Sequence, residues 1–300
     1  MVSDSGSISP AYGLPERLTP GIRRVLAENP GPFTYTGTGT FLVGSGEVAV
    51  IDPGPAIPRH IHNILGALDP GETVSHILIT HTHADHSPGA ALLKALTGAP
   101  TFGFGPHGTH QHAADYSDAM EAGVDREFTP DFAIEDGEIL ETDHWQLEVI
   151  HTPGHCTNHV CYAYLDENSV FCGDHLMAWS TTVIIPPDGS VNDYLDSLER
   201  LKCRNETVYW PTHGDPIHQP DEHMEEVIRH RKRRIDQIHG VLKTADQEVS
   251  RIRATLYPDI NANLHRAAEY SILASLDYLI AHRKVARLDE FTPSRYRAIN

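Results

Sequence analysis

The six residues "HTHADH", positions 81–86, restrict this chain more than any other segment. The run before them, "VSHILIT", reads as a short buried strand. After them, Ser87 and Pro88 supply an N-cap and a first-turn proline for a helix through "GAALLKALTG", which Gly98 closes. Strand, polar loop, then helix places three imidazoles and a carboxylate at the C-terminal end of a strand. His81 and His83 stand two apart, so in extended backbone they point the same way. Asp85 and His86 follow at the turn. Zinc accepts imidazole nitrogen and carboxylate oxygen at about 2.0–2.2 Å, and a tight loop can aim such ligands at one or two points. The chain carries 21 histidines in 300 residues, so abundance alone argues nothing. Spacing and placement together argue against an incidental polar turn.

Three later segments repeat the arrangement. "HTPGHCTNH" puts His155 after a strand and a Pro-Gly turn, "FCGDH" puts Asp174 after another strand, and "VYWPTHGDP" puts His213 after a third. A lone histidine after a strand is ordinarily a hydrogen-bonded structural residue. Five histidines and two aspartates, all on strand ends, are enough for two metals with open positions.

The surrounding pattern is α/β. "FTYTGTGTFLVGSGEVAVIDPGP" reads as a hairpin around "GSGE", with a second strand ending at Asp52-Pro53-Gly54. "PRHIHNILGALDPGE" predicts a helix stopping near Pro70-Gly71, and residues 1–21 an irregular arm. Residues 101–137, rich in Gly, His and acids, predict loops and short helices. "WQLEVIHTPG", "HVCYAYLD", "SVFCGD" and "TVYWPTHG" read as strands, and "VNDYLDSLERL" as an amphipathic helix. Strands alternating with helices, some paired as hairpins, indicate mixed sheets. After Pro220 the texture is helical: Met224, Val227, Ile228, Ile235, Ile238 and Leu242 form a stripe at helical spacing. Two more helices, over "ADQEVSRIRATLY" and "NLHRAAEYSILASLDYLIAH", precede a short strand or wing at "KVARL". A domain boundary is expected near residue 220, giving domains 1–220 and 221–300.

Charge narrows the partners. Residues 221–300 hold 14 Lys/Arg against 12 Asp/Glu, which leaves 9 against 29, or −20, for residues 1–220. A surface this acidic repels polyanions over about a Debye length. No run approaches the roughly 20 apolar residues of a membrane span, and the N-terminus lacks a signal-peptide pattern. Cys156, Cys161, Cys172 and Cys203 form no CxxC pairing, so free thiols and a cytoplasmic setting are expected.

With "HTHADH", His155 in "TPGH", Asp174 in "CGD", His213 in "PTHG" and Asp52 in "IDPG", in that order, residues 31–220 resemble the metallo-β-lactamase-fold hydrolase superfamily. The resemblance implies an αββα sandwich with the site at one edge. Carried over by position, it implies His81, His83 and His155 on one divalent metal. Asp85, His86 and His213 would hold a second, with Asp174 bridging. The ions are expected to be Zn2+, with Mn2+ or Fe equally suited to His/Asp ligands. In such sites the two ions share a hydroxide that attacks the substrate, because metal lowers the pKa of bound water to about 7. Asp85 would orient it and relay its proton. Asp52 would hold a ligand through hydrogen bonds. "ENPGPFTYTGTGTFLVG", "HTPGHCTNHVCYAYLDENSVFCGDH", "DYLDSLERL" and the tail "NLHRAAEYSILASLDYLIAHRKV" resemble the subgroup typified by beta-lactamase-like protein 2, which carries a C-terminal winged-helix domain. That subgroup includes an endoribonuclease acting on single-stranded RNA. His175 and the His-rich 101–137 segment depart from its pattern.

Other polar features have plainer readings. His107, His110 and His112 are expected to line the cleft. His159 and His151 are expected to support a ligand, and His175 to support the site or touch substrate. The cysteines read as buried filler. "RHRKRR", residues 229–234, reads as a solvated helix face. The third C-terminal helix, with Arg266 against Glu269 and Asp277, lacks a base-reading cluster, so packing or a dimer contact is expected of that region. The preferred function is hydrolysis of a small ester, thioester or related acyl substrate by a dinuclear site. The alternatives are an RNA-cleaving endonuclease, which the −20 charge disfavours, and a nucleic-acid-binding regulator with a vestigial site, which the intact ligand set disfavours. No pocket feature points to a β-lactam substrate.

Overall fold

The computed structural model describes residues 10–108, 123–289 and 293–299. A seven-stranded sheet runs in chain order: β1 (Pro15–Arg17), β2 (Ile22–Leu26), β3 (Gly39–Val43), β4 (Glu47–Ile51), β5 (Thr73–Leu78), β6 (Thr101–Gly103) and β7 (Phe132–Ala133). Its first four strands pair antiparallel and the rest continue parallel from β4. A five-stranded sheet holds β8 (Ile139–Thr142), β9 (Trp145–His151), β10 (Val160–Tyr164), β11 (Ser169–Gly173) and β12 (Val208–Pro211), in the order β12-β11-β10-β9-β8. Both sheets are mixed, because β12 joins β11 in parallel while the other neighbours are antiparallel.

The period-2 alternation of strand side chains shows why the sheets stack. Phe41, Val43, Ala49, Ile51 and Leu78 of the first sheet meet Leu147, Val149, Val160, Tyr162 and Phe171 of the second in one apolar layer. The intervening residues face outward and are buried too. Leu42, Val48, Val50 and Ile77 pack on α1 (Pro58–Gly66) and α2 (Gly89–Thr97). Ile150, Cys161, Ala163, Val170 and Cys172 pack on α3 (Val191–Leu201). The result is the expected αββα sandwich. The outer cluster over the second sheet continues without a break into α4 (Pro220–Leu242), α5 (Val249–Leu256) and α6 (His265–Ala281). A hairpin of β13 (Val285–Leu288) and β14 (Arg295–Ala298) completes the C-terminal region.

Several elements differ from the sequence reading. The supposed irregular arm contributes β1, which pairs with β2. α1 stops at Gly66, well short of Pro70, where buried Arg23 takes the Ala67 carbonyl (3.0 Å) and pairs with Glu72 (2.6 Å). Ser87 does not cap α2. Its hydroxyl donates to Asp125 (2.6 Å), and Pro88 occupies the cap position. Within 101–137 the chain forms strands β6 and β7, while His110 and His112 lie outside the described residues. Among the described residues, no helix is long and apolar enough to cross a membrane.

β4 and β5 are parallel, so their C-terminal ends lie on one side. β9, β11 and β12 likewise share a direction, since β9 and β11 both oppose β10 and β12 parallels β11. Asp52 and residues 81–86 leave the first set, and His155, Asp174 and His213 leave the second. Open α/β sheets bind ligands at such carboxyl ends.

Candidate metal centre

All seven candidate ligands converge there, and four of the rings are held from behind by hydrogen bonds. His155 donates from Nδ1 to the Val183 carbonyl (2.6 Å) and His213 from Nδ1 to the Gly37 carbonyl (3.0 Å). His86 donates from Nδ1 to Asp52 Oδ2 (2.8 Å). The Thr80 hydroxyl donates to the same Asp52 oxygen (2.7 Å), so it accepts the His81 Nδ1 proton (3.0 Å). Each of these four rings therefore turns its Nε2 towards the centre, the orientation a metal requires.

Those nitrogens meet other acceptors. His81 Nε2 and His155 Nε2 lie 2.9 and 3.0 Å from His83 Nδ1. One ring proton satisfies at most one of those two lone pairs. Asp174 faces both groups: its Oδ1 lies 3.5 Å from His86 and 3.4 Å from His213, and its Oδ2 lies 3.9 Å from His155. Asp85 Oδ2 is 3.1 Å from His213 Nε2 and 3.6 Å from His86 Nε2. Three sets offer ligand atoms within 4.8 Å of one another: His81/His83/His155, His81/His86/Asp174 and Asp85/His86/His213. His86 Nε2, His213 Nε2 and Asp174 Oδ1 are buried without a hydrogen-bond partner. Imidazole nitrogens and carboxylates packed this closely need positive charge among them, which protons on His86 and His213 or a divalent ion can supply, so the donor set fits divalent metal.

The electrostatics divide the cluster. Burial holds His81 well below the usual imidazole range, holds His83 at about 3 and lowers His155, so these rings stay neutral. Burial also works against charge on His86 and His213. There the carboxylates outweigh it: Asp85, Asp174 and Asp52 raise His86, and Asp174 and Asp85 raise His213. Burial would raise Asp85 and Asp174, yet both are held below the usual carboxylate range by the His86 and His213 rings.

Supporting residues fill in around the ligands. Asp52 is fully buried and also accepts from the Thr80 amide (2.8 Å) and the Thr212 hydroxyl (3.2 Å). Its φ of +49° is uncommon for a residue other than glycine, though Asp tolerates it, and it marks a constrained site. His159 is buried and accepts the Asp174 amide at Nε2 (3.2 Å). Gly173, with φ +50°, makes that approach possible, because a Cβ there would come 2.6 Å from the His159 ring. His175 does not reach the opening: it is fully buried against Tyr194, so the substrate contact expected of it is closed. His107 lies beside Asp188 (3.7 Å) with its side chain almost wholly buried. His151 stacks on Phe104 (3.9 Å). Thr80, Thr182, Thr212 and the Val183 and Gly37 carbonyls went unread in the sequence. Thr80 and Thr212 each sit one residue before a ligand, a position that could have marked them, whereas a carbonyl leaves no trace in side-chain spacing.

The profile of the metallo-beta-lactamase superfamily matches residues 35–213, a span that holds all seven side chains. The chain belongs to this superfamily. A second profile, the beta-lactamase associated winged helix domain, matches residues 249–293. Relatives within the superfamily include the lactamase-like protein nscB of Neosartorya fischeri, 32% identical over 84% of this chain and 71% of that one. The atrochrysone carboxyl ACP thioesterase of Aspergillus chevalieri is 30% identical over 82% of this chain and 74% of its own. Among solved structures, a beta-lactamase domain protein from Burkholderia ambifaria covers 99% of this chain and 96% of its own, with TM-score 0.79 at 18% identity. A metallo-beta-lactamase family protein from Thermus thermophilus gives TM-score 0.75 at 24% identity, over 94% of this chain and 100% of that one. These two likenesses concern the fold. The protein is a metallo-beta-lactamase superfamily hydrolase with a C-terminal winged helix domain.

Proposed function

We propose that this protein is a dinuclear metal-dependent hydrolase of a small acyl substrate, with a thioester favoured over other esters. The observation that carries the reading is the cluster of seven ligand side chains in three overlapping sets, with Asp174 facing both His155 and the His86/His213 pair. His81, His83 and His155 would hold one divalent ion, Asp85, His86 and His213 the other, and Asp174 would touch both. When bound, the two divalent ions would supply a water activated at neutral pH and Lewis-acid stabilisation of charge on the substrate oxygen.

The chain's own groups do the rest. His86 and His213 are buried and fixed, whereas the Asp85 side chain is 26% exposed and faces the open side. Kept ionised by its histidine neighbours, Asp85 is placed to accept a proton there and pass it to the leaving group. Asp52 holds His86, and His159 holds Asp174. Beside His213, Trp179 (36% exposed) stacks on Tyr35 (47% exposed) at 4.9 Å and covers Gly214, where a Cβ would come 2.8 Å from the indole. This exposed aromatic pair offers an apolar wall to an acyl group. The thioesterase named among the relatives and the −20 charge of residues 1–220 both favour an acyl substrate over RNA. The free thiols Cys156, Cys161, Cys172 and Cys203 suit a reducing, cytoplasmic setting.

Metal-loaded protein offered an acyl thioester, a lactone, bis-p-nitrophenyl phosphate and single-stranded RNA should turn over the thioester fastest. Chelation should abolish that turnover and zinc should restore it. RNA cleavage that outpaces thioester hydrolysis and falls steeply with salt would overturn the reading.

A further inference from the structure

The basic run at 229–234 is the expected solvated face at Arg229, His230, Lys232 and Arg233, but one member turns inward. Ile228 and Ile235 are buried as predicted, but so is Arg231, which is 7% exposed. No carboxylate lies within ion-pairing distance of Arg231 among the described residues, and its Nε has no hydrogen-bond partner there. A buried cation without an acid is costly for a fold to keep. What this one touches explains its position.

We propose that Arg231 is a positioning residue for the metal centre, acting through the loop that follows Asp174. The inference rests on the dinuclear reading above. The guanidinium donates from Nη2 to the Thr182 carbonyl. The Thr182 hydroxyl donates to the backbone carbonyl of Asp174, the side chain shared by both sets. The next carbonyl, Val183, accepts the Nδ1 proton of His155 (2.6 Å). Two consecutive residues thus tie two ligands, Asp174 at the start of their own loop and His155 in the loop after β9, and the pair hangs from one side chain of α4. The guanidinium also lies over the Tyr194 ring, 5.3 Å from its centroid. The Tyr194 hydroxyl in turn donates to the carbonyl of His175 (2.9 Å). One turn from the start of α4, the His223 ring contacts the Met177 carbonyl (3.0 Å). α4 therefore grips residues 174–183 directly at two carbonyls, Tyr194 of α3 holds a third beneath the guanidinium, and together they fix where Asp174 and His155 aim. An apolar side chain would fill the same space without gripping anything, which separates positioning from packing.

The test compares wild type with Arg231→Met, Arg231→Lys and Thr182→Val. The measurements are zinc affinity, by competition with a chromophoric chelator, and the melting temperature of the metal-free protein. Loss of a hydrogen-bonded support of a ligand weakens metal binding about 10–100-fold. Arg231→Met should show that loss while the metal-free melting temperature stays level or rises, because an unpaired buried charge has been removed. Arg231→Lys should recover part of the affinity, and Thr182→Val should lose about 10-fold. Wild-type zinc affinity in Arg231→Met overturns the inference. Should Arg231→Met fail to fold, Thr182→Val decides, and unchanged affinity there overturns it. Wild-type protein that binds no zinc overturns the metal-centre reading as well, a distinct result from binding that ignores Arg231.

Discussion

The two ligand sets are built on different physics. His81, His83 and His155 are kept neutral by burial, and His81 and His155 are oriented by uncharged partners, the Thr80 hydroxyl and the Val183 carbonyl. Asp85, His86 and His213 form a charged network in which each ring answers a carboxylate, and Asp52 anchors it from behind. The first set is preorganised by packing and the second by charge. Asp174 faces both, its Oδ1 towards His86 and His213 and its Oδ2 towards His155.

Removing that link should have the largest effect. Asp174→Ala is expected to lower hydrolysis by about 10^3-fold or more, since it disturbs charge stabilisation at both ions, and to lower metal content, both measurable on the purified protein. Next come single-set deletions. His155→Ala and His213→Ala should each cost about 10^2–10^3-fold in turnover, and each should leave one ion bound by the intact set. If either variant loses both ions together, the sets are not separable and the contrast fails. Asp52→Asn acts directly on one side and through Thr80 on the other. It should weaken the ion held through His86 by about 10–100-fold and the ion held by the three-histidine set less, as two-step metal titration would reveal. The smallest effect is expected of Thr212→Val, which removes a single 3.2 Å bond to Asp52. A loss of about 0.5–1.5 kcal/mol in chemical denaturation is expected, with little change in turnover.

Sequence legibility followed the same division. The candidate ligands were readable because they combine His and Asp with strand ends, a pairing that spacing exposes. The hairpin of β3 and β4, the strand β5 and the helix α2 were readable from alternation and from Gly98 at a left-handed cap. Elements fixed by distant partners were not. β2, "IRRVL", hides a buried arginine paired with Glu72, so its polarity disguises a central strand. β6 spans Thr101–Gly103, too short to carry a period, and exists because β5 and β7 flank it. Arg231 went unread for the opposite reason: it stands three residues after Ile228 and four before Ile235, on the apolar stripe, but its charge hid that register within a basic run. Propensity is local, whereas these choices are tertiary.

The central claim is that one chain holds two divalent ions in sets joined by Asp174. The most direct measurement is metal content per chain by inductively coupled plasma mass spectrometry, after loading with zinc and removal of free metal. Two zinc ions per chain are predicted for the wild type. A value of one or none would contradict the account.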